Sequence, residues 1–259
     1  MSPIIVSIGA FEIRWYSVLM LVAIFIGLFL IKKEAKRLNL KYDFIFNMCF
    51  WGVIIGYVCA RLYYVLFNLD YYGVHPEEIF MVWKGGLAIH GGLIGGLLTM
   101  LFYCNKYKTR LIRYLDVICV PLLLGQAIGR WGNFFNQEAH GAATTFDHLK
   151  SLHIPRFIID NMKIDGIYYT PTFLYESIAC FTLFIIFLFI RRYKFRKVGT
   201  MSALYLIGYG IIRFFIEISR TDALLIMGLK IAQIVSIIMI IIGIIILCKN
   251  KKKSRFEDL

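Results

Sequence analysis

Charged residues are scarce in this chain, at 17% of 259 residues, whereas hydrophobic residues reach 59%. Soluble domains typically hold about 25% charged and about 45–50% apolar residues. The hydrophobic residues lie in continuous blocks. Several of these blocks are as long as the roughly 20 apolar residues that a helix needs to cross a bilayer. The scarcity of charge therefore excludes an ordinary soluble domain and indicates a membrane-embedded protein.

Other signals are missing as well. The chain has no run of short alternating strands, which argues against a β-barrel, and a lipid-exposed backbone otherwise requires helices. None of the six cysteines forms a Cys-x-x-Cys pair, so a disulfide framework or a zinc site is not expected.

No basic region precedes the first apolar block, so we interpret this block as a retained span rather than a cleaved signal peptide. Without linkers or repeats, residues 1–259 are expected to form a single membrane domain.

The apolar blocks predict an all-α integral membrane protein with about seven transmembrane helices. The predicted spans are 13–31, 43–66, 85–104, 113–131, 171–190, 200–218 and 229–248. Basic residues cluster in every second connection, at 32–41, 106–113, 191–197 and 249–255. Under the positive-inside rule, this pattern places the N-terminus outside and the C-terminus in the cytoplasm. Topology thus explains the net charge of +13, and nucleic acid is not expected as a partner.

The longest predicted outward connection covers residues 132–170 and mixes acids, bases and histidines. The other two, 67–84 and 219–228, are shorter. We expect residues 132–170 to form a small extracytoplasmic cap on the membrane domain.

Polar residues within the spans collect near their predicted outer ends. An ionisable group at the centre of a span costs at least about 2.5–3.5 kcal/mol, and such groups usually face a polar interior. The residues at this depth are Tyr16, Arg61, His90, Arg130, Glu176, Tyr209, Arg213 and Glu217, with Arg220 just beyond. Because six predicted spans contribute to the same slice of the bilayer, we expect a functional site there.

Several of these residues have plainer explanations. Arg14, Lys84 and Arg220 suit snorkelling toward outer headgroups equally well. A structural ion pair would explain Arg61, with Glu176 as a candidate partner. His90 alone is more often a packing residue than a base, although histidine is the side chain best suited to exchange a proton near neutral pH.

Glycines surround His90 in the run 85–96. Their spacing of four residues permits close approach between helices. Glycines beside an imidazole also leave room for substrate chains. The sequence leaves both interpretations open.

Two further runs favour a phosphate-binding site. Arg130 and Asn133 lie three residues apart at the predicted outer end of a span, so both face one side of a helix. Tyr209, Arg213 and Glu217 are spaced by four residues and form one stripe. Arginine offers a permanent charge and a planar fork of donors suited to phosphate. The residues alone therefore indicate a membrane enzyme or lipid handler that acts on phospholipid headgroups in the outer leaflet.

The run 129–141 resembles the signature G-R-x-G-N-F-x-N-x-E-x-x-G of the prolipoprotein diacylglyceryl transferase family. Every specified position matches, namely Gly129, Arg130, Gly132, Asn133, Phe134, Asn136, Glu138 and Gly141. Further motifs agree in order and spacing, at 13–16, 60–64, 85–92 and 209–220. One position departs, since Thr170 stands where the family often has histidine before Pro-x-x-Leu-Tyr-Glu.

The resemblance implies a transferase of the bacterial plasma (cytoplasmic) membrane whose active site faces the outer leaflet. It would move the sn-1,2-diacylglyceryl group of phosphatidylglycerol to the lipobox cysteine of a preprolipoprotein signal peptide. The products would be a thioether and glycerol phosphate. Neither a metal nor an organic cofactor is implied.

The resemblance also implies roles for the residues. His90, Arg130 and Arg213 would be catalytic, with His90 a candidate base for the thiol and the arginines neutralising the phosphate. Phosphatidylglycerol would be bound by Tyr16, Arg61, Arg130, Asn133, Tyr209 and Arg213. Supporting or gating roles would fall to Glu138, Gly141, Glu176, Glu217 and Arg220.

Three other classes of protein compete with this interpretation. A transporter would carry polar groups across the whole bilayer, but here they collect on one side, Asp116 excepted. A non-catalytic phospholipid-binding protein would not need the strict spacing of residues 129–141. A metal-dependent headgroup enzyme would need clustered aspartates within the spans, and the sequence has none.

Overall fold

The structure is a computed structural model, and it describes residues 3–8, 11–82, 85–193, 196–221, 225–226 and 228–250. The protein is mostly helical. The elements are β1 (Ile4–Ile8), β2 (Phe11–Arg14), α1 (Trp15–Arg37), α2 (Tyr42–Leu66), α3 (Leu69–Tyr72), a 3-10 helix (Pro76–Phe80), α4 (Ile89–Lys106), α5 (Leu111–Asn136), β3 (Ala143–Thr144), α6 (Phe146–Ser151), α7 (Arg156–Asn161), β4 (Lys163–Ile164), β5 (Ile167–Tyr169), α8 (Thr172–Ile190), α9 (Thr200–Ser219), β6 (Leu225–Ile226), β7 (Leu229–Lys230) and α10 (Ile231–Asn250). Lys84, Lys194 and the basic tail 251–255 lie outside the described residues.

The prediction of an all-α membrane protein is confirmed. Within the described residues, six helices are long and apolar enough to cross a bilayer, namely α1, α2, α5, α8, α9 and α10. The third predicted span, 85–104, is also helical but begins four residues later, as the 18-residue α4. Its polar ends, with His90 at the start and Lys106 at the finish, make it less apolar than the others. That α4 crosses the bilayer, and which side each terminus faces, stay predictions.

Two compact units divide the chain. The smaller unit comprises Ala35–Tyr114, and the larger unit comprises Met1–Glu34 together with Leu115–Leu259. That residues 1–259 form a single membrane domain stays a prediction.

In the smaller unit, α2 and α4 pack through glycines. A Cβ atom added at Gly56 would lie 3.0 Å from the carbonyl oxygen of Gly92, and one at Gly96 would lie 3.3 Å from that of Gly52. These backbones approach so closely that a side chain has no room between them. The close helix–helix approach predicted from the glycine spacing is therefore confirmed.

We expect Gly56→Ala to destabilise the protein by about 1–3 kcal/mol, because the added methyl forces α2 and α4 apart. Thermal unfolding of the purified protein in detergent measures the effect. Gly125→Ala on α5 is the matched control, since its Cβ would lie 4.0 Å from that of Ala23 and meet no crowding. Equal melting temperatures for the two variants would contradict the prediction.

In the larger unit, the segment between α5 and α8 folds as a small cap. Its three short strands form an antiparallel sheet in the order β3-β5-β4, and α6 and α7 pack beside them. Its apolar side chains cluster with the ends of the flanking helices, comprising Leu149, Ile154, Ile158, Ile159 and Met162 with Phe134 of α5 and Phe173 of α8. Burying this cluster fixes the cap against the ends of α5 and α8.

Candidate active site

A buried carboxylate joins three helices of the larger unit. Glu176 on α8 has a side chain that is only 2% exposed. Nη2 of Arg130, on α5, lies 2.6 Å from its Oε1 atom, and Nη1 of Arg213, on α9, donates to Oε2 at 3.1 Å. The hydroxyl of Tyr209 donates to Oε1 at 3.3 Å. Glu176 therefore brings both arginines and Tyr209 to one point.

Arg213 makes a second ion pair within its own helix. Its Nη2 atom lies 2.7 Å from Oε2 of Glu217, one turn further along α9. The stripe predicted from the spacing of four residues is thus confirmed. Two guanidinium groups and two carboxylates give the cluster no formal net charge, which makes its burial tolerable because each charge has a partner.

The end of α5 extends the site. Nη1 of Arg130 lies 3.4 Å from Oδ1 of Asn133, so the two residues share a helix face as predicted. Glu138 turns back onto the helix and accepts hydrogen bonds from Asn133 at 2.9 Å and from Asn136 at 3.2 Å. This reversal is possible because Gln137 and Ala139 both adopt left-handed backbone conformations, with φ of 53° and 56°.

Tyr16 lies against the same stretch of α5. A Cβ atom at Gly132 would overlap the Tyr16 ring, so only glycine leaves space for the tyrosine there. Next to it, Trp15 stacks on Phe135 with ring centroids 4.8 Å apart. The beginning of α1 is thereby fixed beside the turn of α5 that carries Arg130 and Asn133.

Gly141 joins the cap to the end of α9. It pairs with Arg220 as an isolated antiparallel bridge, and its N–H donates to the carbonyl of Thr170 at 2.8 Å. A Cβ atom at Gly141 would lie 3.0 Å from the carbonyl oxygen of Ser219. Glycine at this position therefore permits a close approach of two backbones, and the expected gating role of Arg220 stays a prediction.

Comparison with known sequences identifies the family of this chain. A sequence profile of the prolipoprotein diacylglyceryl transferase family matches residues 3–249. The chain belongs to this family. It is 45% identical over 253 residues to the phosphatidylglycerol–prolipoprotein diacylglyceryl transferase of Staphylococcus saprophyticus, covering 97% of this chain and 90% of the relative. Identity to the enzyme of that name from Bacillus velezensis is 43% over 254 residues, covering 98% of this chain and 93% of the relative.

The structure gives physical reasons for the transferase signature at 129–141. Arg130 pairs with Glu176, and Glu138 accepts from Asn133. The departure at Thr170 also has a structural account, since its hydroxyl donates to the carbonyl of Ala142 at 3.0 Å. Thr170 therefore supports the cap backbone at the position where the transferase family often has histidine.

Arg61, in the smaller unit, holds the connection that follows α2. Arg61 is 6% exposed. Its guanidinium donates to the backbone carbonyls of Glu78 at 2.6 Å, Ile79 at 2.8 Å, Gly85 at 2.8 Å and Gly86 at 2.9 Å. The Tyr72 ring lies 5.2 Å below the guanidinium carbon. Backbone carbonyls thus take the place of the ion pair considered from the sequence, and lipid binding by Arg61 stays a prediction.

We expect Arg61→Met to lower the melting temperature by several degrees or to prevent folding, because each charge-assisted hydrogen bond contributes about 1.5–3 kcal/mol. Unfolding in detergent measures this effect, and Arg156→Met is the control because its side chain is 85% exposed. An Arg61→Met protein of unchanged stability that has a raised KM for lipid would instead assign Arg61 to headgroup binding.

His90 lies in the first turn of α4 and is exposed. Its ring centroid is 6.4 Å from that of Tyr63. A role for His90 as the base that accepts the thiol proton stays a prediction.

Sequence reasoning missed three polar residues of the larger unit. Gln126 donates to the hydroxyl of Tyr205 at 2.9 Å, and Tyr205 stacks on Tyr209 at 5.8 Å. Lys230 contacts the end of α9. An amide and an ammonium within predicted spans were the available signals, because such groups need partners there.

The six cysteines are all free thiols. Among the described residues, no group of three or more His, Cys, Asp or Glu side chains is arranged to hold a metal ion. The expectation that the reaction needs no metal or cofactor stays a prediction.

Proposed function

We propose that this chain transfers the sn-1,2-diacylglyceryl group of phosphatidylglycerol to the lipobox cysteine of preprolipoprotein signal peptides. The two relatives described above carry the name of this activity. The observation that carries the proposal is the pair of arginines held by one buried carboxylate, Arg130 at 2.6 Å and Arg213 at 3.1 Å from Glu176. Two adjacent guanidinium groups suit the binding of an anionic phosphate. A phospholipid carries such a phosphate at the membrane.

The reaction replaces one bond at the glyceryl carbon. The cysteine sulfur attacks that carbon and forms a thioether, while the C–O bond to phosphate breaks. The electron pair of that bond leaves with glycerol phosphate, and the thiol proton passes to a base. No oxidant or reductant is required.

The arginines act on the leaving group. Negative charge grows on the phosphate as the C–O bond lengthens, and guanidinium donors stabilise it most strongly where water is excluded. Charge-assisted N–H···O contacts of this kind are about twice as strong as neutral ones. Glu176 and Glu217 orient both guanidinium groups before the lipid arrives, so the donors are in place without reorganisation.

The remaining residues serve the nucleophile and the headgroup. A free thiol has a pKa of about 8.5 and reacts as its thiolate, so a base must take the thiol proton. His90 accepts that proton in this scheme. Tyr16, Asn133 and Tyr209 orient the headgroup, and Arg61 stabilises the connection that follows α2. Glu138, Gly141 and Arg220 hold the end of α5, the cap and the end of α9 together.

The protein lies in the bacterial plasma membrane with this site toward the outer leaflet. Support comes from the basic residues in every second connection. Labelling intact cells with an impermeant thiol reagent tests the orientation. Lys150→Cys in the cap is expected to react from outside, and Lys108→Cys is not; the reverse pattern would overturn it.

The activity is tested with purified protein, phosphatidylglycerol labelled in its acyl chains and a lipobox peptide. We expect label on the peptide and an equimolar release of glycerol phosphate. A peptide with Cys→Ser at the lipobox is the matched control and is expected to gain no label. Lipid that binds without any transfer would favour the alternative of a non-catalytic phospholipid-binding protein.

A further inference from the structure

Helix α9 carries the stripe of Tyr209, Arg213 and Glu217, and charged side chains from other elements hold both of its ends. Asp116 of α5 contacts its N-terminus, and Lys230, the last residue of β7, contacts its C-terminus. Each charge has the sign that the helix dipole favours at that end, a carboxylate at the N-terminus and an ammonium at the C-terminus. We refer to these as the two end contacts of α9.

The N-terminal end contact uses a fully buried carboxylate, since Asp116 is 2% exposed. It accepts hydrogen bonds from the N–H of Gly199 at 2.7 Å, the N–H of Ser202 at 2.8 Å and the hydroxyl of Ser202 at 2.7 Å. Two amides that the helix itself leaves without partners are thereby satisfied. Asp116 therefore stabilises the first turn of α9.

The C-terminal end contact uses all three donors of an ammonium group. Nζ of Lys230 donates to the carbonyls of Glu217 at 2.7 Å, Ile218 at 3.1 Å and Arg220 at 2.9 Å. The last carbonyls of a helix lack the i+4 N–H that bonds the others, so they accept from groups outside the helical ladder. A lysine at the start of a span would ordinarily extend toward lipid headgroups, but this one is committed to the backbone of α9.

The carbonyls that Lys230 binds belong to the part of α9 that matters for the site. Glu217 is the carboxylate paired with Arg213 at 2.7 Å. Arg220 pairs through its backbone with Gly141, which closes the signature run that begins at Gly129. Lys230 therefore fixes the last turn of α9, which carries Glu217 and adjoins the cap.

We infer that Lys230 is a positioning residue for the transfer reaction. Together with Asp116 it sets the axial position of α9, so that Arg213 is held between Glu176 and Glu217 where the phosphate leaves. The inference rests on the proposed function for its chemistry. It differs from headgroup binding, because Lys230 acts through the backbone carbonyls of α9 and touches no substrate.

Lys230→Met keeps the length of the side chain and removes its donors. Without them the last turn of α9 loosens and Glu217 no longer holds Arg213 in place, and a misplacement of about 1 Å at a reacting group costs up to about 100-fold in rate. We expect kcat to fall at least about tenfold and KM for phosphatidylglycerol to change less than about threefold, since the lipid loses no direct contact.

Two matched variants accompany this measurement. Lys230→Arg retains a cation with several N–H donors and is expected to keep most of the activity. Lys150→Met, an exposed lysine of the cap, is expected to behave as wild type. Should Lys230→Met fail to fold, Lys230→Gln replaces it, because its amide still donates to a carbonyl and should give an intermediate kcat.

Two kinetic outcomes overturn the inference. A lower melting temperature with unchanged kcat and KM in the folded fraction would make Lys230 merely structural. A raised KM with unchanged kcat would make it a headgroup contact.

Hydrogen exchange separates this inference from the proposed function. In Lys230→Met, faster exchange of the amides in 214–219, compared with Lys150→Met, reports a loosened end of α9 whether or not the wild-type protein transfers lipid. Unchanged exchange there would overturn the inference. Wild-type protein that transfers no label would instead overturn the proposed function.

Discussion

Arg130→Ala is expected to reduce kcat for diacylglyceryl transfer by about 100- to 1,000-fold, the usual effect of removing one donor that stabilises charge developing in a transition state. The Arg130 side chain is 21% exposed, and its guanidinium pairs with buried Glu176. The guanidinium is therefore both oriented and accessible to a phosphate. Arg130→Lys is expected to remain strongly impaired, because an ammonium is a point charge and lacks the planar fork. Label transfer to the lipobox peptide at saturating lipid measures both variants.

The fold is expected to survive this substitution. Glu176 keeps Arg213 at 3.1 Å as a partner, so no isolated charge is buried. Arg156→Ala on the exposed face of α7 is the control for replacing an arginine and is expected to retain full activity. A folded Arg130→Ala protein that keeps more than about a tenth of the wild-type kcat would remove Arg130 from the mechanism.

The local helix faces of the site were predictable from the sequence. A spacing of four residues places Tyr209, Arg213 and Glu217 on one stripe wherever α9 happens to pack. The pair Arg130 and Asn133 follows from a spacing of three. Such relations depend on the periodicity of one helix, and the structure confirms them.

The partner of Glu176 was not predictable. Arg130 and Arg213 lie in other helices and far away in the sequence, so the contact depends on how α5, α8 and α9 pack. Lys230 presents the same difficulty, because a lysine at the start of a span looks like a snorkelling residue. Only its distances to three carbonyls at the C-terminal end of α9 distinguish the two roles.

The start of α4 was misplaced for a reason of backbone conformation. Gly85 and Gly86 were assigned to the span, but they have φ of 89° and 75°, which a right-handed helix cannot contain. Their carbonyls turn toward Arg61 and accept its hydrogen bonds at 2.8 and 2.9 Å. Apolarity extends through these glycines, so hydropathy alone sets the boundary four residues too early.

Glu176→Leu is expected to lower the free energy of unfolding by about 3–5 kcal/mol, the usual cost of removing one partner from a buried ion pair. It would leave the guanidiniums of Arg130 and Arg213 with only Glu217 to balance them. Unfolding in detergent measures the loss. Glu12→Leu is the control, because its pair with Arg14 is exposed and surface pairs contribute at most about 1 kcal/mol.

A second substitution separates the two roles of Glu176. Adding Arg130→Met to Glu176→Leu restores neutrality, because the pair of Arg213 and Glu217 at 2.7 Å remains intact. We expect the double variant to recover most of the lost stability, since an apolar pair of similar volume often replaces a buried ion pair at little cost. It should nevertheless transfer no label, because one phosphate-binding guanidinium is gone. If the double variant were as unstable as Glu176→Leu alone, charge balance would not be what Glu176 contributes to the fold.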